Sequence, residues 1–260
     1  AMIEEVSSLL REVGSSIILP RFRRLRAEEI EEKGPADPVT IADREAEQAI
    51  ASHLLNLLPG SCVIGEEACS VDPRLLDRLH GNSVWVIDPI DGTGNFVAGR
   101  APFAIMVALL QDGEVVMSWI HDPLTGGTAC AERGSGAWLD GQRLAASAYG
   151  GEKLSGIISR FCLPDNHAPF VARVEQLAAR VMPTRRCAGA EYPMVAQGAC
   201  DFAVYWRTLV WDHAAGSLLL RESGGVVCRL DGTDYSPVRS GVGLMLARSP
   251  DVADELLRLR

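Results

Sequence analysis

No apolar run in the 260-residue chain is long enough to cross a bilayer: the longest, Ala101 to Leu110, is half a span and contains Pro102. Basic residues are in deficit, 25 Lys plus Arg against 34 Asp plus Glu, for a formal charge of -9. Such a chain has no general field for nucleic-acid phosphates or anionic lipid, so neither nucleic acid nor a membrane is the expected partner. CxxC pairs are missing. The seven cysteines, at positions 62, 69, 130, 162, 187, 200 and 228, are odd in number and scattered, which argues against a zinc site or disulfide framework and for buried thiols. Repeats and low-complexity linkers are absent too. Glu4, Glu5 and Arg11 interrupt the apolar N-terminus, so a secretory leader is not expected and a cytoplasmic location is. What the chain does have is 47% hydrophobic residues, enough for a substantial core in one large domain or two modest ones.

Periodicity supplies the coarse elements. Ile3, Val6, Leu9, Val13 and Ile17 recur at helical spacing and predict a first helix reaching Ala27 despite Pro20, with Gly34 and Pro35 closing that region. A second helix is predicted from Thr40 or Ile41 to Leu57, stopped by Pro59-Gly60. Cys62 to Gly65 and Val84 to Ile87 read as buried strands. Phe103 to Leu110 and Val115 to Ile120, joined by Gln111-Asp112-Gly113, read as a hairpin. The Gly-rich stretch 125–141 suggests short strands. Helices are expected at 167–181, 191–197, 212–223 and 251–259, and strands near 156–159, 202–206, 226–229 and 242–247. Strands interspersed with helices, without regular βαβ alternation, indicate a layered α/β or α+β architecture and argue against a Rossmann sheet or TIM barrel.

The chemistry concentrates in Trp85-Val86-Ile87-Asp88-Pro89-Ile90-Asp91-Gly92-Thr93-Gly94-Asn95-Phe96. Two carboxylates three residues apart, leaving a buried strand, suit a hard cation such as Mg²⁺, with the Ile90 carbonyl as a further oxygen ligand. Gly92 and Gly94 would let backbone amides approach an anion. The competing reading is a solvated turn and a helix cap. Gly65-Glu66-Glu67 at another strand end and Trp211-Asp212-His213 at a helix start add two more acids at element ends, which favours the metal reading.

In this order and separation, Gly65-Glu66-Glu67, Asp88-Pro-Ile-Asp91-Gly-Thr93 and Trp211-Asp212 resemble the three signatures of the inositol monophosphatase family of Mg²⁺-dependent phosphatases, and Asp37 to Asp43 resembles its early segment. The resemblance covers roughly Lys33 to Gly225. It implies a layered αβαβα sandwich, with residues 1–260 as one phosphatase unit divisible into a metal-binding half, 1–150, and a substrate-side half, 151–260. Glu66, Asp88 and the Ile90 carbonyl would hold one Mg²⁺, and Asp88, Asp91 and Asp212 a second, with a third, weaker ion near Glu66. Thr93 would orient the attacking water and Asp43 take its hydroxyl proton. Gly92, Gly94 and Asn95 would meet the phosphate, and Lys33 would approach on a loop. Lithium sensitivity and a homodimer are further implications. Neither Ser83 nor Ser217 has a partnered His pattern, so no protein nucleophile is expected.

Two departures concern the substrate. Inositol-cleaving relatives carry a Glu seven residues before the last metal Asp, where Tyr205 stands here. The turn at Gly189 continues into Ala190 instead of Ser or Thr. Glu191 and Arg207 are candidates for the substrate side, against a capping role for the one and a solvated charge for the other. A small polyol or sugar monophosphate is the leading substrate class, and histidinol phosphate the alternative. Association with the transcription machinery is a further reading, its only local support the cluster Arg21, Arg23, Arg24 and Arg26.

Overall fold

A computed structural model describes residues 1–146, 151 and 153–260. The first elements are α1 (Met2–Val13), the hairpin β1 (Ile30–Gly34) and β2 (Asp37–Thr40), α2 (Ile41–Leu57), β3 (Cys62–Gly65) and α3 (Glu66–Val71). Next come β4 (Ser83–Asp91), α4 (Thr93–Val97), β5 (Ala104–Gln111), β6 (Glu114–His121), β7 (Thr128–Glu132), β8 (Gly136–Leu139) and β9 (Gln142–Arg143). The last part holds β10 (Ser155–Ile158), α5 (Ala168–Leu177), β11 (Arg180–Pro183), α6 (Ala188–Ala196), β12 (Phe202–Tyr205), α7 (Val210–Glu222), β13 (Val226–Cys228), β14 (Leu244–Ala247) and α8 (Pro250–Leu257). The anticipated division at 150/151 abuts residues outside those described.

Strands β3 to β9 form a seven-stranded sheet in chain order, parallel only between β3 and β4, so hairpins replace the crossovers of a βαβ fold. The second sheet has the order β11-β10-β12-β14-β13 and mixed direction. Alternation along the strands sorts the apolar side chains into three cores. Trp85, Ile87, Ile105 and Val107 face Leu10, Ile50 and Leu54 of α1 and α2. Val84, Val86, Met106 and Ala108 face the other way, onto Val195 of α6 and Leu218 and Leu219 of α7, whose far side meets Ala203 and Leu246 of the second sheet. Ile158, Val204 and Met245 then pack on Phe170, Val174, Val252 and Leu256 of α5 and α8. The result is the expected αβαβα stack, each fully buried Leu, Ile or Phe contributing about 1.5–3 kcal/mol. No helix among the described residues is long and apolar enough to cross a membrane.

Several boundaries differ from expectation. The first helix stops far short of Ala27. After α1 the chain takes a π-helical turn at Gly14–Ile18 and a 3₁₀ turn at Leu19–Arg21, then extends from Phe22 (ψ 122°), because Gly14 and Pro20 are poor continuers. Gly34 and Pro35, expected to close the first region, lie at the turn of the β1–β2 hairpin. The helix expected at 167–181 ends at Leu177, and Arg180–Pro183 becomes an edge strand, where a proline is tolerated. Helix α6 begins at Ala188, so Glu191 lies inside its first turn and is not its cap.

Candidate active site

Asp88 and Asp91 owe their convergence to a fault in β4. Three steps from Asp88 to Asp91 lie opposite only two steps of β5, Met106 to Ala104. On a regular strand, residues three apart face opposite sides; this β-bulge restores a common side. The parity change is visible in the cores, since Ile87 and Ile90 both pack against the α1–α2 layer. Asp88, Asp91 and Asp212, the third residue of α7, therefore bring carboxylate oxygens within 4.8 Å of one another. Burial raises all three carboxyls, and their neighbours raise them further: Glu66 and Asp91 act on Asp88, Asp212 acts on Asp91, and Glu66 acts on Asp212, which reaches about 7. Acids this close cannot all ionise without a compensating positive charge. The oxygen-only donor set fits a hard divalent cation.

Glu66 opens α3 directly after β3, whose Gly65 pairs with Ile87, and this register sets Glu66 beside Asp88. Its carboxylate is turned to Lys33, whose Nζ lies 2.9 Å from Glu66 Oε1 and 3.1 Å from Glu67 Oε1, so it stands outside the aspartate triad. These acids hold the Lys33 ammonium pKa above its ordinary value against the opposing effect of burial. Sequence reasoning missed Glu47 of α2. Its buried carboxylate accepts from the amides of Glu67 (2.8 Å) and Ala68 (2.9 Å), anchoring the start of α3. Burial pushes Glu47 up to about 7 and Glu67 up to about 8. The available signal was a charge beside the apolar Ala46 and Ile50 of α2.

Thr93 Oγ1 donates toward Asp43 Oδ1 at 2.9 Å and lies 2.8 Å from the Ile90 carbonyl. Asp43 is itself fixed by a capping box, its Oδ2 accepting from Thr40 N–H (2.8 Å) and Thr40 Oγ1 (2.7 Å). Burial raises Asp43 to about 6. Gly92 turns the chain into α4 with φ +85°, and a β-carbon there would sit 2.8 Å from the Pro102 carbonyl, so only glycine fits. Thr93 and Gly94 occupy the open-amide positions of the first turn. Asn95 differs from expectation. Its amide donates to Gly92 O (2.9 Å) and its side chain to Pro102 O (2.8 Å) and Arg185 O (3.0 Å), so it ties loops together.

The substrate-side candidates divide. The Gly189 amide donates to Asp91 Oδ2 at 2.6 Å, and neither Gly189 nor Ala190 lines the cavity. Glu191 is fully buried and takes three donors: Thr184 Oγ1 (3.0 Å), the Arg185 amide (2.8 Å) and Tyr205 OH (2.8 Å). Arg207 does line the cavity and is exposed. His213 bonds the Arg207 backbone and Tyr192 OH (2.9 Å), and burial pushes its ring down to about 3, so it is neutral there. The cavity has a volume of about 710 Å³, with Asp88, Asp91, Thr93 and Asp212 among its walls.

A layered sandwich that presents clustered acids at strand and helix ends beside an aligned hydroxyl defines a class of metal-dependent hydrolase. Comparison with known proteins narrows the class. A profile of the inositol monophosphatase family matches residues 2–258, and the chain belongs to that family of metal-dependent phosphoric monoester hydrolases. A Thermotoga maritima protein named fructose-1,6-bisphosphatase/inositol-1-monophosphatase is 35% identical over 88% of this chain and 82% of its own length. Inositol-1-monophosphatase of Caulobacter vibrioides is 32% identical, covering 89% and 91%. A Pseudomonas aeruginosa relative, 31% identical over 84% and 81%, is named Nus factor SuhB. Among solved structures, a Thermotoga maritima IMPase superposes with a TM-score of 0.84 at 30% identity, covering 99% of this chain and 96% of that one.

Proposed function

We propose that this chain is a Mg²⁺-dependent phosphomonoesterase that converts a small polyol or sugar monophosphate to the alcohol and inorganic phosphate. The supporting observation is the meeting of the aspartate triad with the Thr93–Asp43 pair in one cavity. Glu66, Asp88 and the Ile90 carbonyl would hold one ion, Asp88, Asp91 and Asp212 a second, with a third near Glu66. Bound there, the ions supply positive charge for the phosphate and acidify the attacking water.

The remaining work falls to the chain. Thr93 Oγ1, by donating to Asp43 Oδ1, leaves its lone pairs free to accept a proton from water while its own proton passes to Asp43. A carboxyl raised to about 6 is suited to that task near neutral pH. Open amides at the start of α4 offer donors to a phosphate oxygen, with Gly92 making the approach sterically free. Gly189 and Glu191 act as positioning residues, the first on Asp91 and the second on the loop before α6. Lys33 balances Glu66 and Glu67 on the hairpin that borders the cavity. Residues 1–260 act as one phosphatase unit, since the triad draws on both halves of the chain; a homodimer and a cytoplasmic location complete the reading.

The test is phosphate release with Mg²⁺ across inositol phosphates, histidinol phosphate, sugar phosphates and glycerol phosphates. Asp88→Asn should abolish release, Thr93→Ala should lower kcat about 10²-fold while sparing metal affinity, and millimolar Li⁺ should inhibit. No release from any ester by folded, Mg²⁺-loaded protein would refute the proposal. Association with the transcription machinery is supported only by relatives named Nus factor SuhB. The basic cluster offers it little, because Arg21 pairs with Glu45, Arg26 with Glu29, and Arg23 donates to Gly99 O.

A further inference from the structure

Three loops at the cavity wall carry Phe161, after β10, Arg186, between β11 and α6, and Arg207, between β12 and α7. The guanidinium carbons of Arg186 and Arg207 lie 5.0 and 4.8 Å from the centroid of the Phe161 ring, so the two charges are within about 10 Å of each other. Like charges at that separation repel. Among the described residues neither guanidinium has an ion pair, although Arg21, Arg44, Arg74, Arg133, Arg160 and Arg248 all pair with carboxylates in this acidic protein. An aromatic face attracts a guanidinium but occupies none of its five N–H donors. The donors therefore remain available beside the cavity.

Hydrogen bonds hold both backbones. Arg186 sits at φ +58°, a left-handed conformation that a non-glycine residue adopts only under constraint. Its amide donates to Thr184 Oγ1 (3.0 Å), whose hydroxyl donates to Glu191, which also accepts from Arg185 N–H and Tyr205 OH. On the other side, Tyr192 and His213 bond to each other and His213 to the Arg207 backbone. The Phe161 amide donates to Ser159 Oγ (3.2 Å), and the Ser159 carbonyl accepts from Trp206 Nε1 (2.7 Å), the residue before Arg207. Glu191, which also lines the cavity, already accepts from Thr184, Arg185 and Tyr205, while the Arg207 charge acts on the Asp212 carboxyl. A volume of about 710 Å³ also exceeds what one phosphate requires.

We infer that Arg186, Arg207 and Phe161 form a second anion subsite, and that the preferred phosphomonoester carries a further phosphate or carboxylate on its alcohol. The inference rests on the phosphatase reading above and names its substrate class. The scissile phosphate would sit at the aspartate triad, and the second anion would take N–H donors from the two arginines, which discriminates in favour of a doubly charged ester over one with a neutral alcohol.

Phosphate release from fructose 1,6-bisphosphate, 3-phosphoglycerate and glycerol 1-phosphate is measured with Mg²⁺ for the wild type, Arg186→Gln, Arg207→Gln and the double variant. Both arginines are exposed, so the variants should fold, and circular dichroism verifies it. The wild type should favour at least one of the doubly anionic esters over glycerol 1-phosphate by about tenfold or more in kcat/KM, and the bisphosphate and phosphoglycerate arms distinguish phosphate from carboxylate. Each single variant should cut that preference several-fold, chiefly through the KM of the doubly anionic esters. Raising KCl from 50 to 500 mM should erode the wild-type preference. Equal turnover of all three esters, or losses that fall equally on all three, would overturn the subsite and leave the phosphatase reading intact. Calorimetric titration of the same compounds into Mg²⁺-loaded Thr93→Ala protein reads binding separately. Preferential binding of a doubly anionic ester that disappears with the arginines, without release from any ester, would sustain the subsite and refute the phosphatase reading.

Discussion

Replacing Gly65 by alanine should damage the candidate site through a residue that sequence reasoning missed. Gly65 has φ -110° and ψ 146°, an ordinary extended conformation, so alanine meets no backbone penalty. The obstacle is steric: a β-carbon would lie 2.3 Å from both Cδ and Oε1 of Glu47, where carbon contacts normally begin near 3.5 Å. The carboxylate must retreat by more than about 1 Å, which stretches its bonds to the Glu67 and Ala68 amides, now 2.8 and 2.9 Å, past useful length. Each bond is worth about 1.5 kcal/mol, the low end for a charged acceptor, because burial raises Glu47 to about 7 and leaves it partly protonated. The loss is about 3 kcal/mol, and a chain of this size should melt roughly 6–12 °C lower. The assay is a double-mutant cycle with Glu47→Ala, read by thermal melts and by phosphate release. With the carboxylate gone, Gly65→Ala should cost almost nothing more, giving a coupling close to the full 3 kcal/mol. Additive losses, or a Gly65→Ala protein that melts within 2 °C of wild type, would refute the reasoning. Activity should fall as well, since Glu66 is the next residue.

Two further outcomes concern stability. His121, only 2% exposed and bonded to Thr128 Oγ1 at 2.8 Å, has its ring pKa held below the ordinary 6.5, first by burial and then by Arg11, while Asp122 and Asp140 act in the opposite direction. A depressed folded pKa contributes stability above about pH 6.5 that is lost as pH falls. His121→Gln should flatten the decline in melting temperature between pH 7 and 5, and an unchanged acid slope would contradict this assignment. For the metal, Mg²⁺ at about 100 times its Kd should add ~2.7 kcal/mol, roughly 5–10 °C by thermal melt, reversed by chelation and absent in Asp212→Asn. Identical melts with and without cation would count against the triad as a cation site.

The elements most legible in the sequence were those with strong periodicity and punctuation. Helix α2 begins after its Thr40 cap and ends before Pro59-Gly60, and the β5–β6 hairpin matches its apolar runs and turn. Strand β1, IEEKG, could not be read this way, because none of its own residues is buried and so no apolar alternation marks it. The triad was legible because its acids stand at element ends, Asp88 before a proline, Asp91 before a glycine and Asp212 at a helix start. Arg186, Arg207 and Phe161 were not legible as a group. They come from three loops, and only the pairing of β10 with both β11 and β12 brings those loops together. Glu191 was assigned by its neighbourhood in sequence, yet its carboxylate is consumed by Thr184, Arg185 and Tyr205, a fact set by packing.

The extra residue in β4 separates two kinds of information in the strand. Side-chain packing at Trp85, Ile87 and Ile90 secures the strand against α1 and α2, while the offset against Met106 and Ala104 decides where Asp88 and Asp91 point. Apolar replacements of similar volume along β4 thus leave the aim of the acids untouched. Adding or removing one residue between them shifts the phase of the strand and sends one carboxylate toward the wrong layer, though every acid is still present. Between the acids, the apolar positions tolerate a change of residue, while the number of residues does not.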